Sequence, residues 1–238
     1  MALLADVLQA NGGLEMWRQL RKFTVHMSIG GMLCARKCSA ARLKHIVVEG
    51  STREQSLEIT GFTARDRRAL YRPARVVLEG SDGEVLKERH ATPAQFRDQC
   101  KSSMWDELQL AHYCGCLIWN YLTLPFILAD TDVSAEATEA MATEGSAWRR
   151  LKVRFPPRIL THSAEQTFYV DRQALLRRRD YMAEHEDQTE LAQLFSGHQS
   201  FSGILIPALC RVVQIGTDGI VLPERPLVDI EVFDAIFE

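Results

Sequence analysis

Residues Leu110–Ala129 read LAHYCGCLIWNYLTLPFILA and carry no formally charged side chain. An apolar run of about 20 residues matches the hydrocarbon thickness of a bilayer, so a membrane span is the first reading to weigh. His112, Asn120 and Pro125 interrupt the run, and each is costly or disruptive at bilayer depth. Its near flanks are Asp106, Glu107, Asp130 and Asp132, with no adjacent Lys or Arg to orient insertion. A helix apolar on every side is also what a helix enclosed by protein looks like. The stretch therefore predicts a buried central helix over about residues 105–122 and no stable membrane insertion. Pro125 should end that helix and leave Phe126-Ile127-Leu128 extended.

On the N-terminal side, Leu3, Leu4, Val7 and Leu8 are spaced for a helix that Asn11-Gly12-Gly13 would stop. Leu14, Trp17 and Leu20 suggest a second, so short helices are expected within residues 2–21. From Phe23 the period changes toward two. Leu43, His45, Val47 and Glu49 alternate with Lys44, Ile46 and Val48, and Ser81-Asp82-Gly83 reads as a hairpin turn. Beyond the central helix, Leu151, Val153 and Phe155 alternate with Lys152 and Arg154, which should put the apolar set inside. Residues 133–146 are small, polar and acidic and are compatible with an excursion or an edge strand. Extended segments without crossover helices argue for antiparallel pairing. The expected fold is mainly β (α+β): a curved antiparallel sheet or half-barrel wrapped around the central helix. Residues 1–238 are read as a single domain, β-rich over 22–92 and 147–238.

Composition narrows the function classes. The formal net charge is −3, without the basic excess that displaces counterions from nucleic-acid phosphates, so no nucleic-acid partner is expected. The clusters Arg65-Asp66-Arg67-Arg68 and Arg177-Arg178-Arg179 are read as solvated strand faces. Cysteines stand at 34, 38, 100, 114, 116 and 210 in no paired metal-knuckle spacing, so no metal site is expected. The start Met1-Ala2-Leu3-Leu4-Ala5-Asp6 lacks a basic n-region and a long apolar h-region, which points to a cytoplasmic location and free thiols. No phosphate loop, dinucleotide fingerprint, nucleophile elbow or His-Glu-x-x-His occurs, and no cofactor is expected. The sequence carries no signal for an oligomeric state.

The passage Tyr71-Arg72-Pro73-Ala74-Arg75-Val76-Val77-Leu78-Glu79-Gly80-Ser81-Asp82-Gly83 resembles the LolA/LolB-like half-barrel superfamily. The shared features are an Arg-rich extended strand, an Asp-Gly hairpin and later strands that close the sheet, over about residues 13–98 and 148–237. Members carry lipoproteins or lipids in a curved sheet lined by apolar residues. The resemblance implies a concave apolar site. It transfers no individual site residue, and the family's transport between membranes is not carried over, because neither a signal sequence nor a lipid-attachment cysteine stands near the start.

A half-barrel around one helix either plugs itself or holds a ligand. His112, Trp119, Tyr121, Phe155, Phe168 and Tyr169 are the candidate ligand-binding residues. A hydrophobic or lipid-like small molecule is the expected partner. The alternative is a cofactor-independent cyclase or isomerase, in which His162, Asp180, Tyr181 and His198 would supply acid–base chemistry at the mouth of the cavity. A third reading is a protein-interaction module at an open sheet edge.

Overall fold

The computed structural model describes residues 2–37, 43–100, 104–143, 146–183, 189–216, 219–224 and 226–238. Two short helices, α1 (Ala2–Ala10) and α2 (Leu14–Gln19), open the chain, and α3 (Met32–Lys37) follows the first strand. The strands up to the first hairpins are β1 (Lys22–Gly30), β2 (Leu43–Ser51), β3 (Leu57–Thr60), β4 (Arg67–Arg72), β5 (Arg75–Gly80) and β6 (Val85–His90). Then come α4 (Pro93–Cys100), α5 (Glu107–Thr123) and a 3-10 turn over Phe126–Ala129. The second set is β7 (Ser134–Thr143), β8 (Ser146–Arg154), β9 (Glu165–Val170), β10 (Leu176–Ala183), β11 (Thr189–Phe201), β12 (Ile204–Gln214) and β13 (Val228–Phe237).

All thirteen strands form one curved, open antiparallel sheet in the order β6-β5-β4-β3-β2-β1-β13-β12-β11-β10-β9-β8-β7. The chain starts in the middle, meanders out to one edge at β6, and resumes at the opposite edge with β7. It then meanders back until β13 pairs with β1, Phe23 facing Phe237. The segment joining the two edges is α4, α5 and the 3-10 turn, so this topology carries the apolar helix across the inner face of the sheet.

Every residue of α5 from Leu108 to Thr123 is buried. That is the pattern of an enclosed helix and not of a surface helix with one apolar stripe. Asp106 caps it: its carboxylate accepts from the Gln109 N–H at 2.9 Å, while the Gln109 side chain accepts from the Asp106 N–H at 2.7 Å. Glu107 ties the same end to the sheet through Arg67 on β4 and Lys87 on β6, both at 2.6 Å. Both acids also suit the positive end of the helix dipole. No helix among the described residues is long and apolar enough to cross a membrane.

Several expectations are corrected in detail. Pro125 does end α5, but Phe126-Ile127-Leu128 coil into a 3-10 turn instead of running extended, with the Leu128 N–H donating to Pro125 O at 3.0 Å. The alternation over residues 43–48 changes phase: Leu43 is buried, then Ile46 and Val48. The break is at His45, whose φ of 53° accompanies a register shift against β1. The small, acidic stretch after 133 is the edge strand β7. Of the run Arg177-Arg178-Arg179, only the first two reach solvent; Arg179 is 3% exposed.

Candidate functional site

Four polar groups on α5 would be orphaned without specific partners, and each finds one. His112 Nε2 lies 3.2 Å from Pro73 O, and its ring stacks on Phe96 at 3.8 Å. Asn120 donates to Cys116 O at 2.8 Å and to Leu160 O at 2.9 Å. Tyr121 donates its hydroxyl proton to Pro207 O on β12 and stacks near Phe195. Trp119 Nε1 donates to Ser51 O at 2.8 Å. Gly115 lets the helix lie against Tyr71: a Cβ there would be 2.2 Å from the ring. Satisfied polar groups and close packing hold α5 as a fixed floor.

At the C-terminal end of α5 the half-barrel opens into a cleft of about 490 Å³. Five separate parts of the chain build it: α2, the turn from Thr52 to Ser56, the Arg72-Pro73 turn, the end of α5 with the 3-10 turn, and Arg158-Ile159. Its floor is apolar. Trp17 and Phe126 stack with centroids 4.4 Å apart and planes 6° from parallel. Trp119, Ile127 and Ile159 are buried beside them. Its rim is cationic, with Arg18, Arg53, Arg72 and Arg158 facing the acids Glu54 and Asp130. Gln55 shapes the wall by clamping the Leu160 backbone, donating to its carbonyl at 2.8 Å and accepting from its N–H at 2.7 Å. The volume falls within the usual span of small-molecule pockets.

A second polar group lies deeper, between the inner sheet face and α5. Arg179 projects inward from β10, 5.1 Å from the Tyr181 ring centroid and 6.0 Å from that of Phe168. It donates to Gln166 Oε1 at 3.3 Å, and its Nε has no hydrogen-bond partner among the described residues. Burial lowers its pKa, opposed by Tyr181 and the thiols of Cys210 and Cys116. Burial also pushes the Tyr181 hydroxyl up to about 12 and the Cys210 thiol up to about 12, so neither ionises near neutral pH. Among the described residues no group of three or more His, Cys, Asp or Glu is arranged to hold a metal ion.

The four acid–base candidates sit on three segments of the chain and do not converge. Asp180 and Tyr181 point to opposite faces of β10. Asp180 accepts two hydrogen bonds from Arg178, at 2.5 and 2.9 Å, on the outer face. Tyr181 is buried inside. His162 sits in the β8–β9 connection with its ring 4.7 Å from that of Tyr113 on α5. His198, on β11, has Nδ1 3.4 Å from Arg177, and burial followed by that cation lowers its pKa. Arg177 in turn donates to Asp171 at 2.6 Å.

Of the ligand-binding candidates, Trp119 lines the cleft. His112, Tyr121, Phe155 and Phe168 are packed into the core. Tyr169 faces the outer side, 5.1 Å from the Arg178 guanidinium; burial and a hydrogen bond with Asp180 raise its pKa to about 12. Sequence reading missed Trp17, Phe126, Arg53, Arg72 and Arg158. No local motif marks them, because the cleft exists only after five distant segments meet.

No family model matches the sequence, and no curated protein aligns with it significantly. Solved structures do match the fold. A DUF1329 family protein from Desulfovibrio piger superposes with a TM-score of 0.57 at 11% identity, covering 100% of this chain and 92% of that one. A LolA superfamily protein from Nitrosomonas europaea gives 0.51 at 8% identity, covering 98% and 92%. A domain of outer membrane lipoprotein-sorting type from Vibrio parahaemolyticus gives 0.55 at 6% identity, covering 100% and 91%. At these identities the likeness is one of fold: the chain has a LolA-like half-barrel.

Proposed function

We propose that this chain, LolA-like in fold, binds a hydrophobic or lipid-like small molecule in the cleft at the open end of its half-barrel. The observation that carries this reading is the apolar floor of Trp17, Trp119, Phe126, Ile127 and Ile159 beneath a cleft of about 490 Å³. Burying a chain of methylenes against such a floor supplies roughly 0.8 kcal/mol per CH₂, and the fixed floor lowers the cost of organising the site. The structural relatives, described as a LolA superfamily protein and a lipoprotein-sorting domain, lend support. Carriage is favoured over acid–base chemistry because none of His162, Asp180, Tyr181 and His198 lines this cleft, and the separate cleft of about 520 Å³ that Asp180 and Tyr181 line includes neither histidine.

Native mass spectrometry of protein purified from its own host should reveal a co-purified apolar molecule. Added long-chain lipids should raise the melting temperature by mass action. If repeated preparations carry no such molecule and no lipid of any class shifts the melting temperature, the proposal is wrong.

A further inference from the structure

The charge around the cleft is unevenly compensated. Arg158 is neutralised by Asp130 and by Asp132, the latter at 2.9 Å, and Arg18 by Glu15 at 2.6 Å. Arg53 and Arg21 are held differently. Their guanidiniums donate to main-chain carbonyls at the end of α2: Arg53 to Trp17 O and Arg18 O, Arg21 to Arg18 O and Leu20 O. Carbonyls satisfy hydrogen bonds and fix position, but they do not cancel a charge. Arg72, exposed at the end of β4, has no ion pair among the described residues. Arg53 and Arg72 also line an adjoining cleft of about 880 Å³, where they stand with Arg21, Lys22 and Arg75 against the acids Glu49, Glu54 and Glu58. Glu54 is the acid that shares both clefts.

Arg53, fixed by carbonyls that leave its charge uncancelled, and Arg72, unpaired among the described residues, stand beside a recessed apolar floor. That arrangement is complementary to a molecule with an anionic end and an apolar end. We infer that the ligand is an anionic amphiphile, its apolar chain lying on Trp17, Trp119 and Phe126 and its phosphate or carboxylate held by Arg53 and Arg72. This rests on the cleft being a ligand site, as proposed above. A single molecule fits better than a membrane surface, because Trp17, Trp119 and Phe126 lie on the floor of a recess and do not project from the surface into a bilayer.

The inference is tested with two probes that share one chain and differ in charge, palmitoyl lysophosphatidic acid and monopalmitoylglycerol, each kept below its micelle concentration. Binding is followed by tryptophan fluorescence, with glycerol 3-phosphate and phosphatidylglycerol vesicles as further arms. The phosphorylated amphiphile should bind at least tenfold more tightly than the neutral one, and added salt should narrow the gap. Arg72→Gln, which removes no internal contact, should weaken the anionic probe several-fold and leave the neutral probe unchanged. Arg53→Gln should weaken the anionic probe more strongly. Because it also releases Trp17 O and Arg18 O, its folding is checked by circular dichroism and its effect is read as the ratio of the two probes' affinities. Equal affinity for both lipids, indifferent to Arg72→Gln, overturns the charge assignment and leaves the carrier reading standing. Binding of neither lipid overturns both. Glycerol 3-phosphate binding as tightly as the lipid, or binding to vesicles only, would replace the amphiphile with a free phosphate or a surface.

Discussion

Arg179 stands in a run of three arginines, Arg177-Arg178-Arg179, whose composition reads as a solvated face. Strand alternation decides otherwise. A bulge between Leu176 and Arg178 resets the phase, after which Arg179, Tyr181 and Ala183 point inward and Arg178, Asp180 and Met182 outward. Sequence composition could place arginines on this strand, but not say which of them the bulge would turn into the core. The buried guanidinium has one hydrogen bond and two ring contacts, and no carboxylate pairs with it among the described residues. Taking a charge out of water without a counter-charge is expensive. Arg179→Met keeps most of the volume and removes that cost, while Gln166 loses a partner. The expected result in urea unfolding is a stability between unchanged and about 2 kcal/mol higher. A loss greater than about 2 kcal/mol would mean that the cation is compensated in the folded state.

At the scale of elements, α5 was the most legible part of the fold. Its missing charges, acidic flanks and single Pro125 set its ends to within two residues, and Asp106 and Gln109 supply the cap. What the residues after Pro125 do was not legible, because the 3-10 turn over Phe126–Ala129 answers to packing against Trp17, a contact over a hundred residues away in sequence. The helix–sheet approach was likewise hidden, since a glycine inside a helix signals only a possible close contact. That contact is now specific: a Cβ at Gly115 would lie 2.2 Å from Tyr71 Cγ and 2.5 Å from Cδ2. Gly115→Ala gains about 1 kcal/mol of helix propensity but overpacks a fixed interface at a cost of roughly 1–3 kcal/mol. A net loss of about 1 kcal/mol is expected, largely recovered in the double variant Gly115→Ala, Tyr71→Leu. If the alanine variant is as stable as the wild type, the helix can shift to make room and is not a fixed floor.

The whole molecule sets which of these readings could ever come from sequence alone. Period two gives strands and Asp-Gly gives a hairpin, so an antiparallel sheet around a helix was readable. The cleft was not, because Trp17, Arg53, Arg72, Phe126 and Arg158 are brought together by the path of the chain and by no local pattern. That path also fixes how the sheet holds together. The sheet is continuous only through the pairing of its first and last strands, β1 with β13, from Phe23↔Phe237 to Gly30↔Asp229. Lys22 and Glu238 add two main-chain hydrogen bonds, at 2.8 and 3.0 Å. Without β13, β1–β6 and β7–β12 become two sheets with new free edges, joined through the chain at α5 and through α1, where Asp6 pairs with Arg149 on β8 at 3.1 Å and Asn11 O accepts from the Leu205 N–H on β12 at 3.1 Å. Pairing across so long a stretch of chain forms late, since loop closure precedes any reward. Deleting Val228–Glu238 should therefore abolish the single cooperative urea transition and expose apolar surface to a hydrophobic dye. A synthetic peptide of residues 228–238, added in excess, should restore cooperativity by filling the seam in trans. If the truncated chain keeps one transition at an unchanged midpoint, the seam does not hold the two halves together, and the helices α1 and α5 do.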